Sequence, residues 1–203
     1  MSRVAIIDHG LGNLQAVEKA LMKAGGGSSV FRCYDPDALR RADAIVLPGT
    51  GNLATCVDEL RRLGMAELLP ELMREKRLLA IDVGMHALGR QGLGLLDFDT
   101  QPLNAQGAFD VRLPHMGWNR VHCCDGHVLW EGVPQDAWFY FAHRARVAAS
   151  RELVLATTEH AERFPSVLAR GLFVGVQFHP EISHDSGLRF LANFVSWDGE
   201  SQH

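Results

Sequence analysis

Two hydrophobic periods alternate along the first third of the chain. Val4 to Ile7 is an uninterrupted apolar run, the pattern of a strand buried on both faces. Beyond the loop Gly10-Leu11-Gly12-Asn13, the apolar positions Leu14, Val17, Ala20, Leu21 and Ala24 recur at helical spacing until Gly25-Gly26-Gly27 stops them. Ser29 to Cys33 and Ala44 to Leu47 predict two more strands, the latter broken by Pro48-Gly49-Thr50-Gly51. Val57, Leu60 and Leu63 predict a helix, Leu68, Leu69, Leu72 and Met73 another, and Leu78 to Ile81 a fourth strand. Strands alternating with helices at this spacing predict a parallel sheet covered on both faces.

The second half changes character. Phe109 to Leu113, Trp138 to Ala142, Leu153 to Thr157, Ser166 to Ala169 and Phe173 to Phe178 predict successive strands. Several are joined by turns too short for a crossover helix, so antiparallel pairing is expected there. A last helix, Ser186 to Trp197, places Leu188, Leu191, Phe194 and Val195 on one face, and the polar tail Asp198 to His203 is expected to fray. Gly89 to Gln106 is expected to be a loop inside one domain that spans 1–203. The expected class is α/β: a flavodoxin-like three-layer sandwich with a mostly parallel central sheet and added antiparallel strands.

Composition narrows the function classes. Lys and Arg number 20 against 24 Asp and Glu, a net charge of −4, so there is no basic footprint for nucleic acid. No apolar window reaches membrane-spanning length, and the acid Asp8 interrupts any leader-like start. The four cysteines, Cys33, Cys56, Cys123 and Cys124, match neither a zinc spacing nor a disulfide framework. Reduced thiols and a cytoplasmic location are expected. No cofactor motif is present.

In open α/β sheets, ligands bind beyond the carboxyl ends of the strands. Ala80-Ile81-Asp82-Val83-Gly84 has the form small-x-acid-x-Gly between strand and helix, the shape of a nucleophile elbow. The Val83 N–H and an N–H from Gly49, Thr50 or Gly51 are candidates for an oxyanion hole. Taken alone, an ordinary helix N-cap accounts more simply for Asp82. Gln177-Phe178-His179-Pro180-Glu181 then supplies a base and its orienting acid at the end of another strand.

Together these segments resemble the class I glutamine amidotransferases, and within them the glutaminase subunit of imidazole glycerol phosphate synthase, from histidine biosynthesis. The resemblance covers nearly the whole chain. It rests on Ile7-Asp8-His9-Gly10-Leu11-Gly12-Asn13-Leu14, Leu47 to Gly51, Ile81 to Met85, Pro114-His115-Met116-Gly117-Trp118-Asn119, Trp138 to His143, Gln177 to Glu181 and Leu191 to Phe194. It implies that His179 and Glu181 are two members of a catalytic triad. It also implies a heterodimer with a (β/α)₈-barrel cyclase that receives ammonia, met through Asn13, Pro114, His115, Met116, Gly117, Trp118 and Asn119.

Several departures share one pocket. The family carries a cysteine where this chain has Asp82, a glutamine where it has His86, and serine with aromatic residues where it has Arg144-Ala145-Arg146. Only Ala87 to Gly92 precede Leu93-Gly94-Leu95, leaving no counterpart for the family's substrate-binding acid, and Ile182 stands where a partner-contacting lysine is common. With a reference pKa of about 3.9, and a helix N-terminus and His179 beside it, Asp82 is expected to be ionised. A carboxylate attacking glutamine would have to form an anhydride from an unactivated amide. The expectation is a partner or regulatory subunit without ordinary glutaminase activity. Open beside it stand a repurposed enzyme using Asp82, His179 and Glu181, with His86, Arg144 and Arg146 holding a small anion, a glutaminase using another thiol, and a small metal site at the Asp82 cluster, for which the spacing offers no precedent.

Overall fold

The computed structural model describes residues 2–104, 111–123 and 126–199. Its first half runs β1 (Arg3–Ile7), α1 (Leu14–Ala24), β2 (Ser29–Cys33), α2 (Pro36–Arg40), β3 (Ala44–Leu47), α3 (Leu53–Arg62), α4 (Met65–Glu75), β4 (Arg77–Ile81) and the single turn α5 (Val83–His86). The second half adds β5 (Phe98–Pro102), β6 (His115–Arg120), β7 (His122–Cys123), β8 (Trp138–His143), β9 (Ala145–Ala149), β10 (Val154–His160), β11 (Glu162–Arg170), β12 (Phe173–Val176) and α6 (His184–Ser196).

Eight strands form one sheet in the order β2-β1-β3-β4-β12-β11-β10-β7. The first five run parallel, and β11, β10 and β7 pair antiparallel. Two antiparallel pairs, β5 with β9 and β6 with β8, lie outside it. The apolar runs are explained by two cores. Val4, Ile6, Val46, Leu79 and Ile81 face one side with Leu14, Val17 and Leu21 of α1 and Phe190, Leu191 and Phe194 of α6. Ala5, Ile7, Ile45, Leu47, Leu78 and Ala80 face the other with Leu39, Val57, Leu60, Leu69 and Leu72 of α2 to α4. A strand buried on both faces has no polar position to show.

Caps set where helices start. Asn13 Oδ1 accepts from the Ala16 N–H, Asp35 Oδ2 from Ala38 and Asn52 Oδ1 from Thr55, each satisfying one free amide of the first turn. No described helix is long and apolar enough to cross a membrane.

Three expectations need correction. The segment 89–106 contains β5, whose only buried residue is Phe98; backbone pairing with β9 makes it a strand, not hydrophobic alternation. Phe109 and Asp110 lie outside the described residues, and 111–113 is not a strand. The pairs that fill this stretch use β6 and β9, which the apolar pattern did not mark.

One backbone contact fixes the loop after β3 against the turn after β4. A Cβ on Gly84 would stand 2.2 Å from Leu47 O, and one on Gly49 would stand 2.4 Å from Gly84 N. Both partners are backbone and have nowhere to go. Gly84→Ala therefore forces the two segments apart and is expected to destabilise the fold by about 3 kcal/mol, at the upper end of overpacking costs. Urea denaturation measures it, and a change within about 0.5 kcal/mol of wild type, the usual size for a surface substitution, contradicts the close approach.

Candidate active site

Asp82 follows β4 with φ +48° and ψ −117°, a left-handed backbone that side chains rarely adopt, and it makes no side-chain cap bond. Asp82 is thus the apex of an elbow and not an N-cap. Its N–H donates to Val176 O at 2.8 Å, carrying the β4–β12 pairing into the turn. The chain past β12 is held equally firmly. The His179 N–H donates to Tyr140 O at 2.9 Å, and the Ser183 hydroxyl donates to His179 O at 2.6 Å. Two adjacent strand ends thereby bring Asp82 and His179 face to face.

His179 Nε2 lies 3.8 Å from Asp82 Oδ2, and His179 Nδ1 donates to Glu181 Oε1 at 3.0 Å. The Asp82 and His179 side chains are only 5% and 6% exposed. The sequence reading missed the third contact. The Gln177 amide donates to Asp82 Oδ1 at 2.8 Å, and its carbonyl oxygen accepts from His86 Nε2 at 2.9 Å. With Nε2 protonated, His86 Nδ1 accepts from the Thr100 hydroxyl at 3.0 Å. Gln177 stood inside a recognisable motif, but strand periodicity gives no hint that its amide turns toward position 82. Thr100 lay in the segment read as loop.

A cavity of about 380 Å³ opens over this cluster, lined by Gly51, Asn52, Asp82, Val83, His86, Thr100, Pro114, Met116, His143 and Arg144 among others. Gly49 and Thr50 do not line it; Gly49 is spent on the backbone contact with Gly84. The Val83 N–H bonds the Asp82 carboxyl itself. Arg146 does not line the cavity either, and its Nε lies 2.9 Å from Glu162 Oε1. Arg144 alone of the two arginines faces the opening.

Burial dominates the electrostatics. Desolvation pushes the Asp82 carboxyl up to about 7, against the opposing pull of His179, the Val83 N–H and Gln177. The expectation of a fully ionised Asp82 is corrected on this point. The following helix is a single turn, too short to replace lost water with its dipole. Burial likewise pushes His86 down to about 4, so it is a neutral hydrogen-bonding group and not a cation for an anionic ligand. Burial also opposes charge on His179, but the bond to Glu181 and the charges of Glu181 and Asp82 outweigh it and raise its pKa.

The predicted partner-contact block divides by strand alternation. Met116 and Trp118 point outward, 66% and 42% exposed. His115 is buried, stacked on Phe141 and His160, with Nδ1 donating to His143 Nε2 at 2.8 Å. The Asn119 amide donates to Glu159 O and faces His115. His115 therefore braces β6 from within and is corrected as a contact residue, while Asn119 is half-buried and tied to β10 through Glu159 O. Pro114 lines the cavity, and the Asn13 side chain caps α1 while its residue stays exposed. Cys56 is buried, and burial with the Asp82 charge nearby pushes its thiol up to about 12, which leaves no thiolate for nucleophilic work. Cys33 is raised by partial burial, Cys123 is in β7, and Cys124 lies outside the described residues. Among the described residues, no group of three His, Cys, Asp or Glu is placed to hold a metal ion.

A carboxyl raised from 3.8 to about 7 binds its proton more tightly when folded, so its contribution is full below pH 4 and is lost as pH rises through 7. His179, also raised, acts in the same direction over a higher window. Asp82→Asn keeps an acceptor for Gln177 and removes the charge. It is expected to be more stable than wild type at pH 8, by roughly 2–4 kcal/mol, with the gain vanishing toward pH 4. Thermal or urea unfolding at both pH values measures this, and a variant less stable than wild type at pH 8 contradicts it.

The family model described as glutamine amidotransferase class-I matches residues 5–197. The chain is 40% identical to the imidazole glycerol phosphate synthase subunit HisH of Nitrosococcus oceani, over 99% of this chain and 100% of that one. It is 39% identical to the subunit of the same name from Methylococcus capsulatus, over 98% of each. Among solved structures, a glutamine amidotransferase from Thermotoga maritima superposes with a TM-score of 0.63 at 18% identity, covering 89% of this chain and 76% of that one. PurLQS from Thermotoga maritima gives 0.72 at 16% identity, covering 96% and 98%. At those identities the structural likeness speaks for the fold alone. With the elbow after β4, the His-Pro-Glu turn after β12 and a family match over almost the whole chain, this protein belongs to the class I glutamine amidotransferase family.

Proposed function

We propose that this chain is a subunit of an imidazole glycerol phosphate synthase-type assembly that docks on a barrel cyclase but does not release ammonia from glutamine through a thioester. The observation that carries this reading is the carboxyl of Asp82 at the apex of the elbow, the position that the sequence resemblance gives to the family's nucleophile. A carboxyl pushed up to about 7 by burial is a poor nucleophile, and its attack on an amide leads to an anhydride. The support for docking is the outer face of the β6–β8 pair. Met116, Trp118 and Trp138 are exposed there, and Ile182 is exposed on the turn after β12. Met116 and Ala142 also line the cavity, so the apolar face runs to its mouth.

A second reading has its own observation. The Asp82 carboxyl titrating near neutrality, opposite His179 held by Glu181, is suited to proton transfer on a different substrate. Arg144 is the cation at that opening.

The first reading is tested by mixing the chain with a barrel cyclase subunit of an imidazole glycerol phosphate synthase, glutamine and the cyclase substrate. Co-elution is expected, with glutamate release no faster than without the chain. Asp82→Cys is expected not to restore it, because His86 and Arg144 reshape the same cavity. Release by wild type that Asp82→Asn abolishes overturns the reading. For the interface, Trp118→Ala is expected to weaken association about tenfold or more, as a central aromatic contact does, and unchanged affinity contradicts the assigned face.

A further inference from the structure

The hydrogen bonds from Thr100 to Asp82 run in one direction. The Thr100 hydroxyl donates to His86 Nδ1 at 3.0 Å, His86 Nε2 donates to the Gln177 carbonyl oxygen at 2.9 Å, and the Gln177 amide donates to Asp82 Oδ1 at 2.8 Å. Three elements meet in this chain of bonds: β5 supplies Thr100, α5 supplies His86 and the segment after β12 supplies Gln177. One end is buried and the other is not. Asp82, His86 and Gln177 are at most 3% exposed, whereas Thr100 is half-buried and lines the cavity.

That direction suits a carboxylate, which only accepts. A protonated carboxyl must also donate, and the groups around Asp82 are donors. The Gln177 amide and the Val83 N–H both point at it, and His179 Nε2 is 3.8 Å away, beyond hydrogen-bond distance. His179, bonded to Glu181, has a raised pKa and keeps its own proton. The other titratable groups nearby do not take the Asp82 proton either. Burial keeps the Cys56 thiol of α3 protonated. His143 of β8 is pushed down to about 4 by burial and has both ring nitrogens bonded. Arg144 at the opening is a donor only. Every member of the chain of bonds can reverse in place. A carboxamide turned by half a rotation exchanges oxygen for N–H with little change of shape, a neutral imidazole carries its proton on either nitrogen, and a hydroxyl both donates and accepts.

We propose that these bonds form a two-way relay: when Asp82 takes up a proton, the Gln177 amide turns over, His86 changes tautomer, and the Thr100 hydroxyl is freed to donate into the cavity. In the reversed state Asp82 Oδ1–H donates to the Gln177 carbonyl oxygen, the Gln177 N–H to His86 Nε2, and His86 Nδ1–H to Thr100 Oγ1. The protons balance. One enters from solvent onto Asp82, and one leaves His86 Nε2 as another joins Nδ1. Burial, which pushes His86 down to about 4, keeps the ring neutral throughout. Thr100 thereby sets what the cavity wall prefers. A ligand oxygen that accepts from Thr100, of a carboxylate or a carbonyl, is favoured while Asp82 is protonated, and by linkage such a ligand raises the proton affinity of Asp82. The relay holds on either reading of the function, because it concerns the wall of the cavity and not the reaction inside it.

The test is the protonation of each His86 ring nitrogen, read by nitrogen NMR of the full chain on both sides of the Asp82 titration step, wherever that step falls. A proton is expected on Nε2 above the step and on Nδ1 below it, with no cationic ring. In Asp82→Asn, which has no proton to take up, one tautomer is expected throughout. Thr100→Val removes the hydroxyl at the end of the relay. A buried N–H without an acceptor is rarer than a buried acceptor left bare, so His86 keeps its Nε2 proton and the protonated carboxyl loses its acceptor. The proton affinity of Asp82 is then expected to fall about threefold or more, the low end of one hydrogen bond. Thr100→Ser keeps a hydroxyl and is expected to titrate as wild type. The proposal is overturned by a His86 ring that holds one tautomer through the step, by a ring that becomes a cation with it, or by Thr100→Val titrating as wild type. Reversal that accompanies a step far from neutrality corrects the ionisation of Asp82 and still supports the relay.

Discussion

Gly49 and Gly84 bring two backbones closer than any side chain allows, and the site is arranged around that contact. Because a Cβ at either position would meet backbone atoms at 2.4 Å or less, the turn after β4 cannot relax into an ordinary helix start. Asp82 is held at φ +48° with its carboxyl aimed under the strand ends. The ladder bond from the Asp82 N–H to Val176 O ties this turn to β12. The chain leaving β12 then places His179 above it. Position, burial and partners of the carboxyl follow from one backbone approach.

Burial then decides the chemistry. Water that would stabilise the charged form is excluded, and one glutamine N–H, one backbone N–H and a histidine at 3.8 Å replace it only in part. The imidazole at position 86 completes this arrangement. As a neutral ring between Thr100 and Gln177, it fixes which way the Gln177 amide faces. On the proposed reading, the replacement at 82 and the replacement at 86 are one change: a new acidic group and the bracket that orients its donor. On that same reading the apolar strand face leading to the cavity serves docking, apart from any glutamine chemistry.

The legible parts of the sequence were those set by local pattern. β1, β3 and β4 appear as doubly buried apolar runs, and β2 and β3 have the expected bounds although β2, at the sheet edge, has no buried residue. The elbow and the His179–Glu181 pair follow from short motifs at strand ends. What stayed hidden depends on contacts distant in sequence. β5 is made a strand by β9, some fifty residues on, and its own residues FDTQP carry no hydrophobic alternation. Gln177 and His86 are bonded across ninety-one positions. The ionisation expected for Asp82 failed because reference pKa and helix dipole are local arguments, whereas desolvation is a property of the assembled fold. His115 and Asn119 were grouped with Met116 and Trp118 by motif, though strand alternation alone sends them to opposite faces.

The most direct test of the account is the titration of the Asp82 carboxyl itself, followed by carbon NMR of its side chain with Asp82→Asn used to assign the signal. The account predicts a step centred near 7, coupled to a change at His179. A carboxyl that stays ionised down to about pH 4, the range of a solvated aspartate, would contradict it.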